Sequence, residues 1–140
     1  MKKHILVFYL LLFFSVLSCL NVREDLILGK CKIIEATSNN EEFKKAVNSY
    51  EGNIYIFKPN GKFIYNDATV KYHFKDGIEG TWTLKDNEIN VVHTLDLGSP
   101  HTAITDKNHF FITKIIDDKM TLEMHFDNGN VFTLHAFRRE

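Results

Sequence analysis

What most limits the folds open to this chain is its punctuation. Asn60-Gly61, Asp76-Gly77, Asp86-Asn87, Asp117-Asp118 and Asn128-Gly129 are turn dipeptides, built from residues that reach the backbone conformations of tight hairpins at little steric cost. Where they follow one another closely they stand about ten residues apart, the spacing of short strands and turns in sandwiches and barrels. The runs between them, at residues 54–58, 62–66, 69–75, 79–85, 88–95, 109–116, 120–126 and 131–138, are rich in β-branched and aromatic side chains. A further strand is predicted at 26–36. The longest break, residues 96–108, contains Gly98-Ser99-Pro100 and reads as a loop, with room for a short strand at 102–105.

Within the runs the period is two. Met120, Leu122, Met124 and Phe126 share one face, and Thr121, Glu123 and His125 the other; Ile89, Val91, His93 and Leu95 alternate with Asn90, Val92 and Thr94. One buried face per strand is what an antiparallel meander produces, and closing the meander removes its exposed edges. One segment breaks the period. Phe43, Ala46, Val47 and Tyr50 recur at helical spacing, with Ser38/Glu41 or Asn39/Glu42 as a capping box and Gly52 as a stop. A helix of about three turns is marginal alone, so its stripe is expected to cap one end of the barrel. The expected fold is all-β: an antiparallel up-and-down β-barrel of eight or nine strands, with one short helix between strands 1 and 2.

The first residues read as targeting. Met1-Lys2-Lys3-His4 is basic, and residues 5–17 are apolar except for Ser15. This run is shorter than the about 20 residues a spanning helix needs and fits a signal-peptide core. It ends Val16-Leu17-Ser18-Cys19, which resembles the lipobox of bacterial lipoproteins. The resemblance implies lipidation of Cys19 with fatty (palmitate-type) chains after removal of residues 1–18. It also implies a tether at 19–25, a domain at 26–140, and a place on a membrane of the bacterial cell envelope, the outer membrane by expectation. Several acyl chains, at about 0.8 kcal/mol per buried methylene, make a firm anchor. Of the 17 Lys and Arg, Lys2 and Lys3 lie in the removed segment, leaving an excess of Asp and Glu. Nucleic acid is excluded as a partner on that ground, because phosphate neutralisation needs clustered cations. With Cys19 acylated, Cys31 is left as a lone buried thiol; a Cys19–Cys31 disulfide is the alternative.

With these elements placed, the chain resembles the lipocalin-like domain of bacterial lipoproteins. The matching stretches are Leu28-Gly29-Lys30-Cys31, Pro59-Asn60-Gly61-Lys62-Phe63, Gly80-Thr81-Trp82-Thr83-Leu84, Ile112-Thr113-Lys114-Ile115 and Phe137-Arg138. The family's first strand usually reads Gly-x-Trp, with the Trp packed across the barrel floor against an Arg of the last strand. Here that position is Cys31, so Arg138 or Arg139 would lack its stacking partner. An unfilled void costs about 24 cal/mol per cubic ångström; either one of the 12 Phe residues fills the floor or the floor is open.

No catalytic signature is present: no nucleophile elbow, no His-Glu-x-x-His, no Cys-x-x-Cys and no phosphate-binding glycine loop. The chain is expected to be no enzyme and to carry no cofactor and no metal. His125 and His135 lie on neighbouring strands, but pairing across the Asn128-Gly129 turn sets His125 opposite Phe132 or Thr133 instead. His93, on an apolar face, reads as an interior hydrogen-bonded histidine. Trp82 reads as core, or as a cavity wall stacking on a ligand, and the same two readings stand for Phe57, Phe63, Tyr65, Tyr72 and Phe74. The expected function is a membrane-anchored binding module for a small hydrophobic ligand or a protein partner, with Trp82, Phe57 and Tyr50 as the aromatic lining. The competing expectation is a filled barrel that serves envelope assembly or inhibits a partner enzyme through its loops. Interior volume separates the two, since a void of roughly 300 Å³ or more suits a ligand.

Overall fold

A computed structural model of the chain describes residues 22–69, 76–96 and 103–139. Among them, eight antiparallel strands follow one another around a closed barrel. They are β1 (Gly29–Ser38), β2 (Ile54–Phe57), β3 (Lys62–Asn66), β4 (Ile78–Lys85), β5 (Glu88–Asp96), β6 (Ala103–Ile116), β7 (Lys119–His125) and β8 (Val131–Arg139). β8 returns to pair with β1 from Lys30↔Arg139 to Ser38↔Phe132, so no described strand is left as a free edge. The expected all-β up-and-down barrel, with one short helix between β1 and β2, is the fold observed.

The turns explain the tight reversals. Asn60, Asp86 and Asp117 take φ of 66°, 57° and 51°, and Gly129 takes 82°; Asn, Asp and Gly are the residues that accept this left-handed region. The alternation explains the core. Met120, Leu122 and Met124 are buried on β7, and Ile89, Val91 and His93 on β5. Phe57, Phe63, Phe110, Ile112 and Leu134 face the same interior and are almost wholly buried. Each such side chain contributes roughly 1.5–3 kcal/mol by leaving water. Phe126, expected to continue the inner face of β7, lies just past the strand and is 39% exposed.

Several expectations are corrected. β1 begins at Gly29, not residue 26, because Glu24–Leu26 forms a 3-10 turn. Most of the expected break at 96–108 is strand: β6 runs fourteen residues and pairs with β5 down to Asp96↔Ala103. The helix is also shorter than three turns. A 3-10 turn, Glu41–Phe43, leads into α1 (Lys44–Asn48). Neither expected capping box forms: Asn40 caps the turn, its Oδ1 accepting from the Glu42 N–H at 3.0 Å. Asn39 instead reaches across to β8, where its Oδ1 accepts from the Val131 N–H at 2.8 Å. Of the helical stripe, Val47 is buried and Phe43 and Tyr50 pack on the core, while Ala46 is exposed. The stripe therefore docks with three of its four members. The strand expected at 69–75 and the loop at 97–102 fall outside the described residues, Thr69 apart, as do the signal segment and Cys19. Of the expected tether, Arg23–Asp25 is exposed, whereas Val22 is buried in the core.

Candidate functional site

The two ends of the barrel are built differently. Around the start of β1 the interior is packed. Phe57 pairs with Gly29, so its ring stands at a level where the neighbouring strand offers no side chain. Trp82 on β4 meets it edge-on, with ring centroids 5.3 Å apart, and its Nε1–H donates to the Lys58 carbonyl at 2.9 Å. Val22 and Ile27 belong to the same core. Cys31, at the position where the resembled family's first strand carries a Trp, is fully buried in this core. Cys31 is a free thiol, and burial pushes its pKa from the ordinary 9.0 up to about 11, the charge of Arg138 working against the rise. Arg138 lies opposite Cys31 in the β1–β8 register and is half-buried.

The opposite end holds a half-open cavity of about 170 Å³. Tyr50 reaches it from the segment after α1, Asn53, Tyr55, Tyr65 and Asp67 from β2, β3 and their flanks, His93 from β5, and Asp106 and Asn108 from β6. The Tyr55 ring stacks on Tyr65 at 5.2 Å and meets Phe110 edge-on at 5.6 Å. A polar chain ties the rim together. The Asn53 Nδ2–H donates to the Tyr65 hydroxyl at 3.0 Å, that hydroxyl donates to Asp67 Oδ2 at 2.9 Å, and Asn53 Oδ1 accepts from the Ala68 N–H at 2.8 Å. Asn53 itself is 2% exposed.

Electrostatically the cavity leans negative. Burial raises the Tyr50 hydroxyl pKa, and the charges of Asp106 and Asp67 add to the rise. Burial likewise holds Tyr55 and Tyr65 far above the ordinary tyrosine value. His93 faces inward with its side chain 9% exposed. Its Nε2 stands 3.8 Å from Asp106 Oδ2, while its buried Nδ1 has no hydrogen-bond partner. Gly80, opposite His93 in the β4–β5 register, makes room for it: a Cβ there would collide with the Val92 carbonyl and the His93 Cβ. The histidine read from sequence as interior and hydrogen-bonded is interior, but its Nε2 is too far from Asp106 for a hydrogen bond and its Nδ1 has no partner.

The residues singled out from sequence are separated by the fold. Tyr50 lines the cavity; Phe57 and Trp82 pack against each other at the other end and are not part of its wall. Phe63 and Tyr65, weighed as core or cavity wall, both line the cavity, whereas Asn53, Asp67, Asp106 and Asn108 were not anticipated. The signal for the last two was present in the phase of β6, where Asp106, Asn108 and Phe110 alternate inward. His125 and His135 do not meet: His125 pairs with Val131 and His135 with Thr121. Among the described residues no three His, Cys, Asp or Glu side chains are grouped for a metal.

A larger groove of about 580 Å³ crosses the barrel wall over β1, β6, β7 and β8, with Ile34 and Ile116 exposed beside it. It lies where both β1 and β6 carry bulges, at Ile33/Glu35 and Ile112/Lys114. A ligand site joins an enclosed volume to a few converging polar groups; the groove is the larger but lies across the wall among Glu35, Lys114 and Lys119, whereas the smaller cavity lies among inward-facing residues at the open end. No protein-family model matches the chain, and no curated protein matches it. The eight-stranded closed barrel is compatible with a lipocalin-like fold.

Proposed function

We propose that the protein is a membrane-tethered lipoprotein, not an enzyme, whose barrel is a binding module working through its open end. The observation that carries this reading is the contrast along the barrel axis. One end is sealed by Phe57, Trp82, Val22 and Ile27, while polar side chains from β2, β3, β5 and β6 converge on the cavity at the other. At about 170 Å³ that cavity is smaller than the roughly 300 Å³ of a typical ligand pocket. Its walls are also more polar than a lipid or other wholly apolar ligand requires. A small ligand carrying polar groups suits it better than the apolar one expected from sequence.

Native mass spectrometry of the protein purified from its own host tests the module: a small molecule carried through purification supports it. A mass equal to the chain plus its acyl groups alone, in every preparation, counts against it. The anchor is tested separately by fatty-acid labelling, which should disappear in Cys19→Ala; label that persists rejects the lipidation. A second reading, a packed barrel that offers its rim to a protein, is favoured by Phe126. That ring is 39% exposed and meets Phe132 edge-on at 4.8 Å at the turn between β7 and β8. Loss of a crosslinked partner in Phe126→Ser, with mass spectra showing no small molecule, would shift the choice to it.

A further inference from the structure

The chain enters the barrel at its sealed end, and enters it abruptly. Val22 is already part of the core, at 7% exposure. Only three peptide steps separate it from Cys19, a reach of roughly 11 Å at full extension. The headgroup layer on each side of a bilayer is about 5–8 Å deep. A chain acylated at Cys19 therefore holds its sealed end within a few ångströms of the lipid surface. What faces the lipid there is specific. Four large apolar side chains are exposed among the described residues, and three of them lie on this side of the molecule: Leu26 at 38%, Ile34 at 52% and Ile116 at 51%. Leu26 ends the 3-10 turn before β1, and Ile116 ends β6 at the β6–β7 turn. Arg138 links the two. Its N–H donates to the Asp118 carbonyl at 2.7 Å. Its charge also reaches Asp25, whose carboxyl is held below the ordinary value first by the hydrogen bond from Arg23 and then by the charges of Arg23 and Arg138. Ile34 stands further up the same wall, where the β1 bulge puts two successive residues, Ile34 and Glu35, on the outer face. Ile34 and Ile116 border one groove of about 580 Å³. Apolar residues exposed singly are ordinary; a group of them beside an anchored terminus marks a surface for a membrane.

We infer that the barrel rests on the bilayer by this corner of its sealed end, with Leu26, Ile34 and Ile116 entering the headgroup layer and the open end directed to the aqueous side. The inference rests on the lipidation of Cys19, and it adds which surface meets the lipid. Burial of apolar area drives the contact, as it does for helices that lie in the membrane interface. Charge sets its direction. Beside the patch, Lys114, Lys119 and Arg138 offset Asp117 and Asp118. Among the described residues of the open end, Glu41, Glu42, Glu51, Asp67, Asp106 and Asp127 outnumber Lys44, Lys45 and Lys107. An anionic lipid surface repels such an excess within a Debye length. Lys114 and Lys119 line the groove, where their methylenes can lie along apolar surface while the ammonium groups reach the lipid phosphates. This pose leaves the cavity at the opposite end unobstructed, so that what binds there arrives from water and not from the bilayer.

The test uses the acylated chain purified from its own host and reconstituted in vesicles of phosphatidylethanolamine and phosphatidylglycerol. The intact mass reports the acyl groups. With Cys19 acylated and Cys31 buried, a single added thiol takes a bimane fluorophore. It is placed in turn by Ile116→Cys, by Lys58→Cys at the β2–β3 turn and by Asp127→Cys at the open end, all three positions being exposed. The first two share the sealed end but lie on opposite sides of the closed barrel. Quenching by a headgroup-borne nitroxide should be several-fold stronger at the Ile116 site than at the Lys58 site, and weakest at the Asp127 site. Ile34→Glu, added to the Ile116→Cys chain, should bring its quenching down to the level of the Lys58 site. Because Ile34 is on the outer face, the melting temperature should not change. Equal quenching at all three sites in a chain of acylated mass would overturn the inference and leave the lipoprotein standing. So would strongest quenching at the Asp127 site, or quenching at the Ile116 site that Ile34→Glu leaves unchanged. A mass without acyl groups would reject the lipoprotein itself, and the inference with it.

Discussion

The sealed end and the open end of this barrel come from the same strands and obey opposite rules. At the sealed end Phe57, Trp82, Ile27 and Cys31 are between 0% and 3% exposed, and the indole N–H has its carbonyl. At the open end the inward positions of the same strands turn polar or phenolic. Phe57 gives way to Tyr55 on β2, Phe63 to Tyr65 on β3, Val91 to His93 on β5, and Phe110 to Asn108 and Asp106 on β6. These four strands thus carry an apolar-to-polar gradient along their inner faces, while β7 stays apolar. The gradient divides the labour, since packing at one end holds the barrel closed while the other is free to keep polar groups that packing would exclude.

The comparison is broken most directly at Phe57. Phe57→Ala empties the level beside Gly29 and removes the surface on which Trp82 packs. The expected loss is about 3–5 kcal/mol, read as a lower denaturant midpoint with an unchanged slope. Amide shifts at the cavity should move little. A loss of less than about 1 kcal/mol would mean that the sealed end is not what holds the barrel together.

Cys31 gives a second measure of how dry that end is. Its pKa is raised from 9.0 to about 11 by burial. Below pH 9 both folded and unfolded chains hold the proton, and the full stabilisation is present. Between about pH 9 and 11 the unfolded chain releases it first, so the unfolded state binds fewer protons and stability falls with rising pH. A two-unit shift corresponds to at most about 3 kcal/mol. Tyr55 and Tyr65, also raised, add a loss of the same sign at higher pH. Unfolding midpoints of the parent chain and Cys31→Ala, compared from pH 8 to 11, isolate the thiol. The difference between them should narrow across that window, and a pH-independent difference would show that water reaches Cys31.

The gradient also explains which parts of the molecule were legible in the sequence. Strands that are apolar along most of their inner face, such as β7 with Met120, Leu122 and Met124, declared themselves by alternation. The upper half of β6 did not. Its inward residues there are Asp106 and Asn108, because they face the mouth and not the core, so the strand hid inside an apparent loop that Gly98 and Pro100 made plausible. The candidate site was obscured for the same reason. A search for an aromatic lining found Phe57 and Trp82, which are core, beside Tyr50, and weighed Phe63 and Tyr65 without assigning their facing; the carboxylate and amide residues of the cavity it missed. The helix was overextended because Phe43 keeps the apolar spacing while its backbone is in a 3-10 turn. The cap was missed by one residue, since Ser38, Asn39 and Asn40 all suit the role and only the cross-strand bond of Asn39 to Val131 decides among them.

The smallest expected effect sharpens the contrast from the other side. Asn53 is the buried polar residue that joins β2 to the rim: its side chain holds both the Tyr65 hydroxyl and the Ala68 N–H. Its own backbone is occupied elsewhere, the carbonyl accepting from the Ile33 N–H at 2.9 Å. Asn53→Ala therefore removes two side-chain hydrogen bonds without touching the β1 contact, at an expected cost of about 1–3 kcal/mol. That is less than for Phe57→Ala, because water entering from the open mouth can replace part of what is lost. The effect should also be local. Hydrogen exchange at the Ala68 and Thr69 amides should quicken, the latter because Asp67, which accepts from the Thr69 N–H at 2.7 Å, loses a neighbour in its chain. Amides of β7 and β8 should keep their protection. Uniform loss of protection around the whole barrel would mean that the rim network is part of the fold's main support, and that the two ends are not separable.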